Sequence, residues 1–401
     1  MKSKSRFNRY LMAGICVAAI LCLGQPGFTA EYKEYKLGMT NPRSGSQVMT
    51  GDIQIAGVET AVREINAKGG IDGVPIRVIY EDHQAKPTMA VTAFQKLISV
   101  DKVPLVLTTY GTVQLAQAPL ADKNKVVMVN SGASSPELIN CSKYIFHTIP
   151  NSSSYLSVAT HYICETLGFK GNWAILYLNQ AEGKAITRYL STLLPKYGVK
   201  NIFRDNWEDY SVTDFRAIIA KALNTNPTAF YEGGAGNDTG LCLKQLRDAG
   251  FKGPVICPYG GQLIQRAGVA VYNAYVGEQV IPENKRVEAL RNEVLNVRKL
   301  PYFSPICLNA YEAVYFAAEA IKYAKDHYKG EYFTGEKLRQ AMREKKQFDT
   351  LSTPGALDLK THVLSRQLAV KTWIEKDGKP VIEVKKVYSS EEEAALPKGD
   401  L

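Results

Sequence analysis

Long apolar runs are scarce in this chain. One stands out, residues 11–23 (LMAGICVAAILCL), and at about thirteen residues it is too short for the roughly 20 that span a bilayer as a helix. Lys2, Lys4, Arg6 and Arg9 precede it with no acid between them, and Gly24, Gln25 and Pro26 follow. A basic start, a short greasy core and a breaker make a secretory leader. Residues 1–30 are therefore read as a signal peptide cut between Gly24 and Glu31, and the protein as exported. Histidine is also sparse: the five (His83, His147, His161, His327, His362) are far apart, and none lies beside a Ser or Cys in a nucleophile motif. Gly-x-Ser-x-Gly, HExxH and P-loop patterns are missing, which leaves no signature of a secreted α/β hydrolase, a zinc protease or a nucleotide-binding loop. Gly233-Gly234-Ala235-Gly236 lacks the Rossmann spacing and reads better as a close approach to a ligand. No CxxC or Cys/His cluster suggests a metal. The expectation is a protein that is not an enzyme, with no cofactor and no metal site.

Cysteines are few as well. Two of the seven, Cys16 and Cys22, fall in the leader. Ala19-Ile20-Leu21 is a poor lipidation signal for Cys22, because Leu21 sits where a small residue is needed. Cys141, Cys164, Cys242, Cys257 and Cys307 remain; an odd number leaves at least one thiol free, and spacing does not reveal pairing. The net charge of +10 includes the four basic residues of the leader. The other Lys and Arg are scattered rather than striped, which reads as a solvated surface and gives no nucleic-acid patch.

What is present is an α/β rhythm. Residues 35–80 predict a strand at Tyr35–Met39, a helix from near Gly51 with Ile53, Ile55, Val58, Ala61, Val62 and Ile65 inward, a stop at Asn66–Gly70, and a second strand at Val74–Tyr80. Further strands are predicted at Val103–Leu107, Val126–Val129, Trp173–Leu178, Thr228–Tyr231 and Pro254–Pro258. Helices are predicted at Ala90–Val100, Val158–Leu167, Ala185–Tyr197, Asp214–Leu223, Gly240–Ala249 and Ile306–Tyr328. Residues 350–388 alternate polar and apolar around a hairpin turn at Lys376–Lys379. Strands alternating with helices imply parallel sheets, in two successive blocks at roughly 35–150 and 151–280. Open parallel sheets bind ligands beyond the carboxyl ends of their strands, so the cleft between two such blocks is the natural site.

Seven stretches then carry a resemblance: Ala61–Gly70 (AVREINAKGG) with Gly73, Leu115–Pro119 (LAQAP), Ser131–Leu138 (SGASSPEL), Phe146–Pro150 (FHTIP), Thr213-Asp214-Phe215, Tyr231–Gly234 (YEGG) and Leu243–Gly250 (LKQLRDAG). In order and spacing the chain resembles periplasmic solute-binding proteins of the branched-chain amino-acid type, which feed ABC importers. The resemblance implies a type I two-lobe α/β fold, with a parallel sheet in each lobe and the ligand cleft between them. It puts residues 31–151 with 283–350 in lobe 1, 152–282 with 351–390 in lobe 2, and a flexible tail at 391–401. The implied partners are a small-molecule ligand and an inner-membrane permease, with the protein itself a monomer. A sensory receptor domain passing the same closure to a signalling partner is the alternative.

The resemblance also implies a site. Ser134 matches the hydroxyl that holds a ligand carboxylate, Gly132 the carbonyl that takes an ammonium, and Gly111 and Thr112 the second carboxylate loop, with Tyr110 beside it. Free N–H groups in the 130–136 turn would favour an anion. Tyr259 stands where the family has the ammonium-binding acid, and Thr50, Glu182 and Ala235 stand where it has aromatic walls. Glu232 and Asp238 are further candidate acids. The expected pocket keeps an anion anchor and loses its usual cation anchor. That favours a larger carboxylate with a polar or aromatic far end over a branched-chain amino acid.

Overall fold

The computed structural model describes residues 32–45, 47–208, 211–234, 237–258, 263, 267–349, 351 and 355–400. The leader, Ala235 and Tyr259 lie outside the described residues. Lobe 1 is built first, from β1 (Tyr35–Asn41), α1 (Val48–Ala67), β2 (Ile76–Asp82), α2 (Pro87–Ser99), β3 (Leu105–Thr108), α3 (Gly111–Asn124), β4 (Val127–Asn130) and β5 (Ile145–His147). Its five strands are parallel in the order β2-β1-β3-β4-β5. Every residue of β3 and β4 is buried, as expected for strands covered on both faces. The glycines after α1 act as the sequence predicts. Gly69 and Gly70 take φ of 95° and 74°, and the Gly70 N–H returns to the Ile65 carbonyl (2.9 Å), closing the helix with a left-handed turn.

The chain then crosses over. Lobe 2 contains α4 (Ser152–His161), β6 (Trp173–Leu178), α5 (Ala181–Leu193), β7 (Ile202–Trp207), α6 (Arg216–Leu223), β8 (Ala229–Gly233), α7 (Asn237–Asp248), β9 (Val255–Ile256) and β10 (Ala274–Gln279). A return to lobe 1 adds α8 (Lys285–Asn292), α9 (Pro305–His327), α10 (Gly335–Lys345) and the two-residue pair β11 (Gln347–Phe348) and β12 (Gly355–Ala356). The last crossing delivers β13 (Leu368–Lys376) and β14 (Lys379–Tyr388) to lobe 2, whose sheet runs β14-β13-β10-β9-β8-β6-β7. β13 and β14 are antiparallel. Asp377 and Gly378 between them both have positive φ, 52° and 72°, the mirror-image turn that suits a two-residue hairpin.

The third crossing comes later than the expected boundary after residue 350. Leu351, Leu357 and Leu364 pack in the lobe 1 core, and the Leu364 N–H bonds the His147 carbonyl (2.9 Å), so the chain leaves lobe 1 only near Ser365. The expected tail carries a short helix in its described part. Ser389 and Glu392 form a capping box that starts α11 (Ser390–Ala395). Beyond it the Asp400 N–H donates to Thr192 Oγ1 (2.7 Å), which pins the end of the chain to α5. All five cysteines outside the leader are unpaired thiols, four buried and Cys141 half-buried.

Candidate ligand cleft between the lobes

On lobe 1 the site is a rim of loops at the carboxyl ends of β1, β3 and β4. Asn130, the last residue of β4, organises the loop that follows. Its Oδ1 accepts the N–H groups of Gly132 (3.1 Å) and Ala133 (3.0 Å) and Nε2 of Gln114 (2.8 Å). Its Nδ2 donates to the Ala133 carbonyl (2.7 Å) and to Nδ1 of His147 (2.9 Å). Burial depresses the His147 pKa to about 3, so its neutral ring is a dependable acceptor. Two of the N–H groups the sequence offered to an anion are thus spent inside the loop, and what the loop presents to the cleft is Ser134.

Gly132 is required for packing. A Cβ there would sit 2.1 Å from Thr109 Oγ1 and 2.3 Å from Gln54 Nε2, which are themselves bonded to each other (2.7 Å). Gly111 opens α3 facing the same loop, with 3.5 Å from a would-be Cβ to the Ser135 Cβ. Tyr110, at φ 63°, donates its hydroxyl to Gln47 Oε1 (3.0 Å) and sets its ring edge-on to His83 (5.9 Å). Burial raises its phenol, and a hydrogen bond with Thr50 partly offsets this. Thr50 and Tyr110 therefore meet on the outer rim, while Thr112 is exposed.

The lobes are closed on one another: the Pro136–Leu138 turn of lobe 1 packs on α5 of lobe 2. Between them lies a cavity of about 20 Å³ whose walls include Ser134 from lobe 1 and Tyr155, Glu182, Tyr231, Cys257 and Gly277 from lobe 2. That is room for a single water. Of the predicted residues, Ser134 and Glu182 share this cavity. Thr50, Tyr110, Gly111, Thr112 and Gly132 are not among its described walls. Glu182 lies in the first turn of α5, where the helix dipole favours a carboxylate.

Sequence reasoning missed Tyr155, Tyr231 and Cys257. Tyr155 follows an Asn151 cap, whose Oδ1 accepts the Ser153 N–H (3.0 Å), and this puts it on the first turn of α4 facing the cleft. Gly277 lets β10 approach it: a Cβ there would come 2.1 Å from the Tyr155 carbonyl.

Two acids lie beneath the lobe 2 wall. Glu232 is fully buried, with the Gly234 N–H donating to its Oε1 (3.3 Å). Burial first, and then the neighbouring Asp238, push its carboxyl well above the usual range, so the protonated form is favoured. Asp238 accepts from Trp207 Nε1 (3.0 Å). Burial likewise raises the Cys257 thiol. Among the described residues no three His, Cys, Asp or Glu side chains are grouped to hold a metal ion. Of the carboxylates described, only that of Glu182 lines the cavity.

Residues 34–379 match the family model described as periplasmic binding protein. A Leu/Ile/Val-binding protein homolog from Brucella abortus is 27% identical over 269 residues, covering 66% of this chain and 71% of that one. The fold superimposes with a TM-score of 0.77 on a leucine-, isoleucine-, valine-, threonine- and alanine-binding protein from Brucella ovis in its closed conformation, at 19% identity, covering 90% of this chain and 97% of that one. It also superimposes with a TM-score of 0.70 on an ABC transporter solute-binding protein from Rhodopseudomonas palustris in complex with 3,4-dihydroxybenzoic acid, at 18% identity, covering 90% and 98%. With most of its length matched, two lobes and a cleft lined from both sides, the chain belongs to the periplasmic binding protein family.

Proposed function

We propose that this protein is the exported, monomeric solute-binding component of an ABC importer. It closes on a small carboxylate-bearing solute and hands it to an inner-membrane permease. The observation that carries the reading is that Ser134 and Glu182, from opposite lobes, face one cavity. A solute touching both residues gains both contacts only when the lobes close, and only such differential contacts shift the balance toward the closed state. The carboxylate lies at the lobe 1 end, on Ser134 and the loop that begins at Gly111. A hydrogen-bond donor at the far end, hydroxyl, amide or cation, lies toward Glu182. Tyr155 and Tyr231 supply flat walls between them, with Tyr110 and Thr50 at the outer rim.

A branched-chain amino acid fits this arrangement poorly. Its ammonium would sit beside the lobe 1 loop, the position after β9 carries Tyr259 rather than an acid, and Glu232 favours its neutral form. A thermal-shift screen of amino acids, aromatic acids, amides and dicarboxylates tests the reading, since a solute at 100 times its dissociation constant adds about 2.7 kcal/mol of stability. Aromatic or hydroxylated monocarboxylates are the expected hits. Calorimetry with leucine, isoleucine and valine is expected to give no sub-micromolar binding; such binding by any of them overturns the assignment of ligand class. Uptake of the hit into vesicles holding the cognate permease, dependent on added protein, tests delivery.

A further inference from the structure

The three crossings between the lobes meet at one buried ion pair. Arg366, only 5% exposed, donates from Nη2 to Glu312 Oε2 (2.5 Å) and to the Thr148 carbonyl (3.1 Å). Thr148 belongs to the first crossing, and its Oγ1 donates to the carbonyl of Asn309 (3.1 Å). Asn309 stands three residues before Glu312, on the same face of α9. The second crossing begins at Gln279. In the β10–β13 ladder Gln279 faces Leu368, and Val280 N–H to Gln367 carbonyl (2.9 Å) carries the ladder one step further. In that register Arg366 is the diagonal neighbour of Gln279 on the same face, within reach of a long side chain.

Around the ion pair the polar groups do not match up. Both amide atoms of Gln279, both of Asn309, and Nε and Nη1 of Arg366 have no partner among the described residues, although Gln279 and Asn309 are 2% and 0% exposed. Buried polar groups in folded proteins are nearly always paired. These are also chemically complementary, since the two amide oxygens are acceptors for just the guanidinium donors left over. They belong to different bodies. Asn309 rides on lobe 1, Gln279 ends a strand of lobe 2, and Arg366 lies in the strap between them. Their relative positions change when the lobes turn.

We propose that Gln279, Asn309 and Arg366 form an alternative hydrogen-bond set that is made when the lobes open and broken when they close, with the Arg366–Glu312 pair as its fixed pivot. The hinge itself then holds back closure until a solute contributes contacts in the cleft. This rests on the reading that the lobes open and close. Gln279→Leu removes the amide that goes unpaired in the closed arrangement and loses a partner only in the open one. It is expected to raise the closed-to-open ratio of the solute-free protein about fivefold or more, the scale of one buried hydrogen bond. Arg366→Lys keeps a cation for Glu312 but lacks the spare guanidinium donors, and is expected to move the ratio the same way. Spin labels on an exposed residue of each lobe, Gln95 on α2 and Ala217 on α6, report the ratio by double electron–electron resonance. Circular dichroism confirms that each variant is folded. Two distance populations in the wild type, with the shorter enriched in folded variants, support the proposal. Two populations with an unchanged ratio, as expected if the amides are simply hydrated in both states, overturn it and leave the binding function standing. A single population that neither variants nor screened solutes alter overturns both.

Discussion

Glu232→Gln separates a neutral acid under the cleft from a charged one. The carboxyl is fully buried and its pKa is raised, first by burial and then by Asp238. In the unfolded chain it ionises near 4.5; in the folded protein it holds its proton to higher pH. The folded state therefore binds more protons than the unfolded state above pH 4.5, and stability falls as pH rises. The slope is about 1.4 kcal/mol per pH unit for one proton, for as long as the folded carboxyl stays protonated. Glutamine has the shape of the neutral acid, and its carbonyl can still accept the Gly234 N–H, but it has no proton to lose. Between pH 5 and pH 7 the variant should therefore gain up to about 2.7 kcal/mol on the wild type. Urea unfolding at pH 5, 6, 7 and 8 measures this, followed by tryptophan fluorescence; Trp207, bonded to Asp238, reports on the same corner of lobe 2. A variant that is less stable than the wild type, by a margin that widens with pH, would falsify the neutral assignment. Glu232 would then be a buried anion with a partner, and a cationic solute could be held there.

Ser134→Ala should weaken binding of the screened solute by about 1.5–3 kcal/mol, the worth of a hydrogen bond to a charged group; a calorimetric change under twofold places the carboxylate anchor elsewhere. Glu182 sets the charge at the other end. Dicarboxylates should bind far more weakly than their monoamides, because like charges about 4 Å apart repel by about 4 kcal/mol at an effective dielectric of 20. Glu182→Gln should narrow that gap, and equal affinities in the wild type would remove Glu182 from the site. His147 gives a pH dependence opposite to that of Glu232. Its folded pKa of about 3 lies below the unfolded value near 6.5, so the stability it contributes is complete above pH 6.5 and is lost as pH falls, by about 2 kcal/mol at pH 5. Comparing urea midpoints of the wild type and His147→Gln at pH 7 and pH 5 checks this, with a smaller acid loss expected in the variant.

The sequence made legible those elements whose burial is written locally. Trp173–Leu178 emerges as a strand with the bounds expected, because a strand covered on both faces needs an unbroken apolar run. β7 and β10 were missed because their polar residues are explained only by distant partners. Arg204 donates to Ser191 on α5 (2.7 Å), Glu278 pairs with Lys371 on β13, and Gly277 is small for the sake of Tyr155. The third crossing was misplaced for the same reason: what ties residues 355–364 to lobe 1 is pairing with a strand about 217 positions earlier, as between His362 Nδ1 and the Ile145 carbonyl. The tail shows the reverse. Its charged composition suggested a loose end, although Ser389 and Glu392 already spelled a capping box.

The site divides along the same line. Family-like loops marked Ser134 and Gly132, but their chemistry depends on a residue that looks ordinary in the sequence. Asn130 consumes the N–H groups of Gly132 and Ala133, and it can do so because His147 behind it is neutral. On the proposed function, an anion binder that spends its amides internally relies on a side-chain hydroxyl from one lobe and on what the other lobe brings when it closes. Lobe 1 alone therefore offers a solute an incomplete shell, and much of the affinity must come from closure. In such a protein the terms that oppose closure matter as much as the contacts in the cleft. Those terms are concentrated where the three crossings meet, in side chains far from one another in sequence and with no motif in common. A change at Gln279 or Arg366, which line no described wall of the cavity, can for that reason alter affinity as much as a change at Ser134.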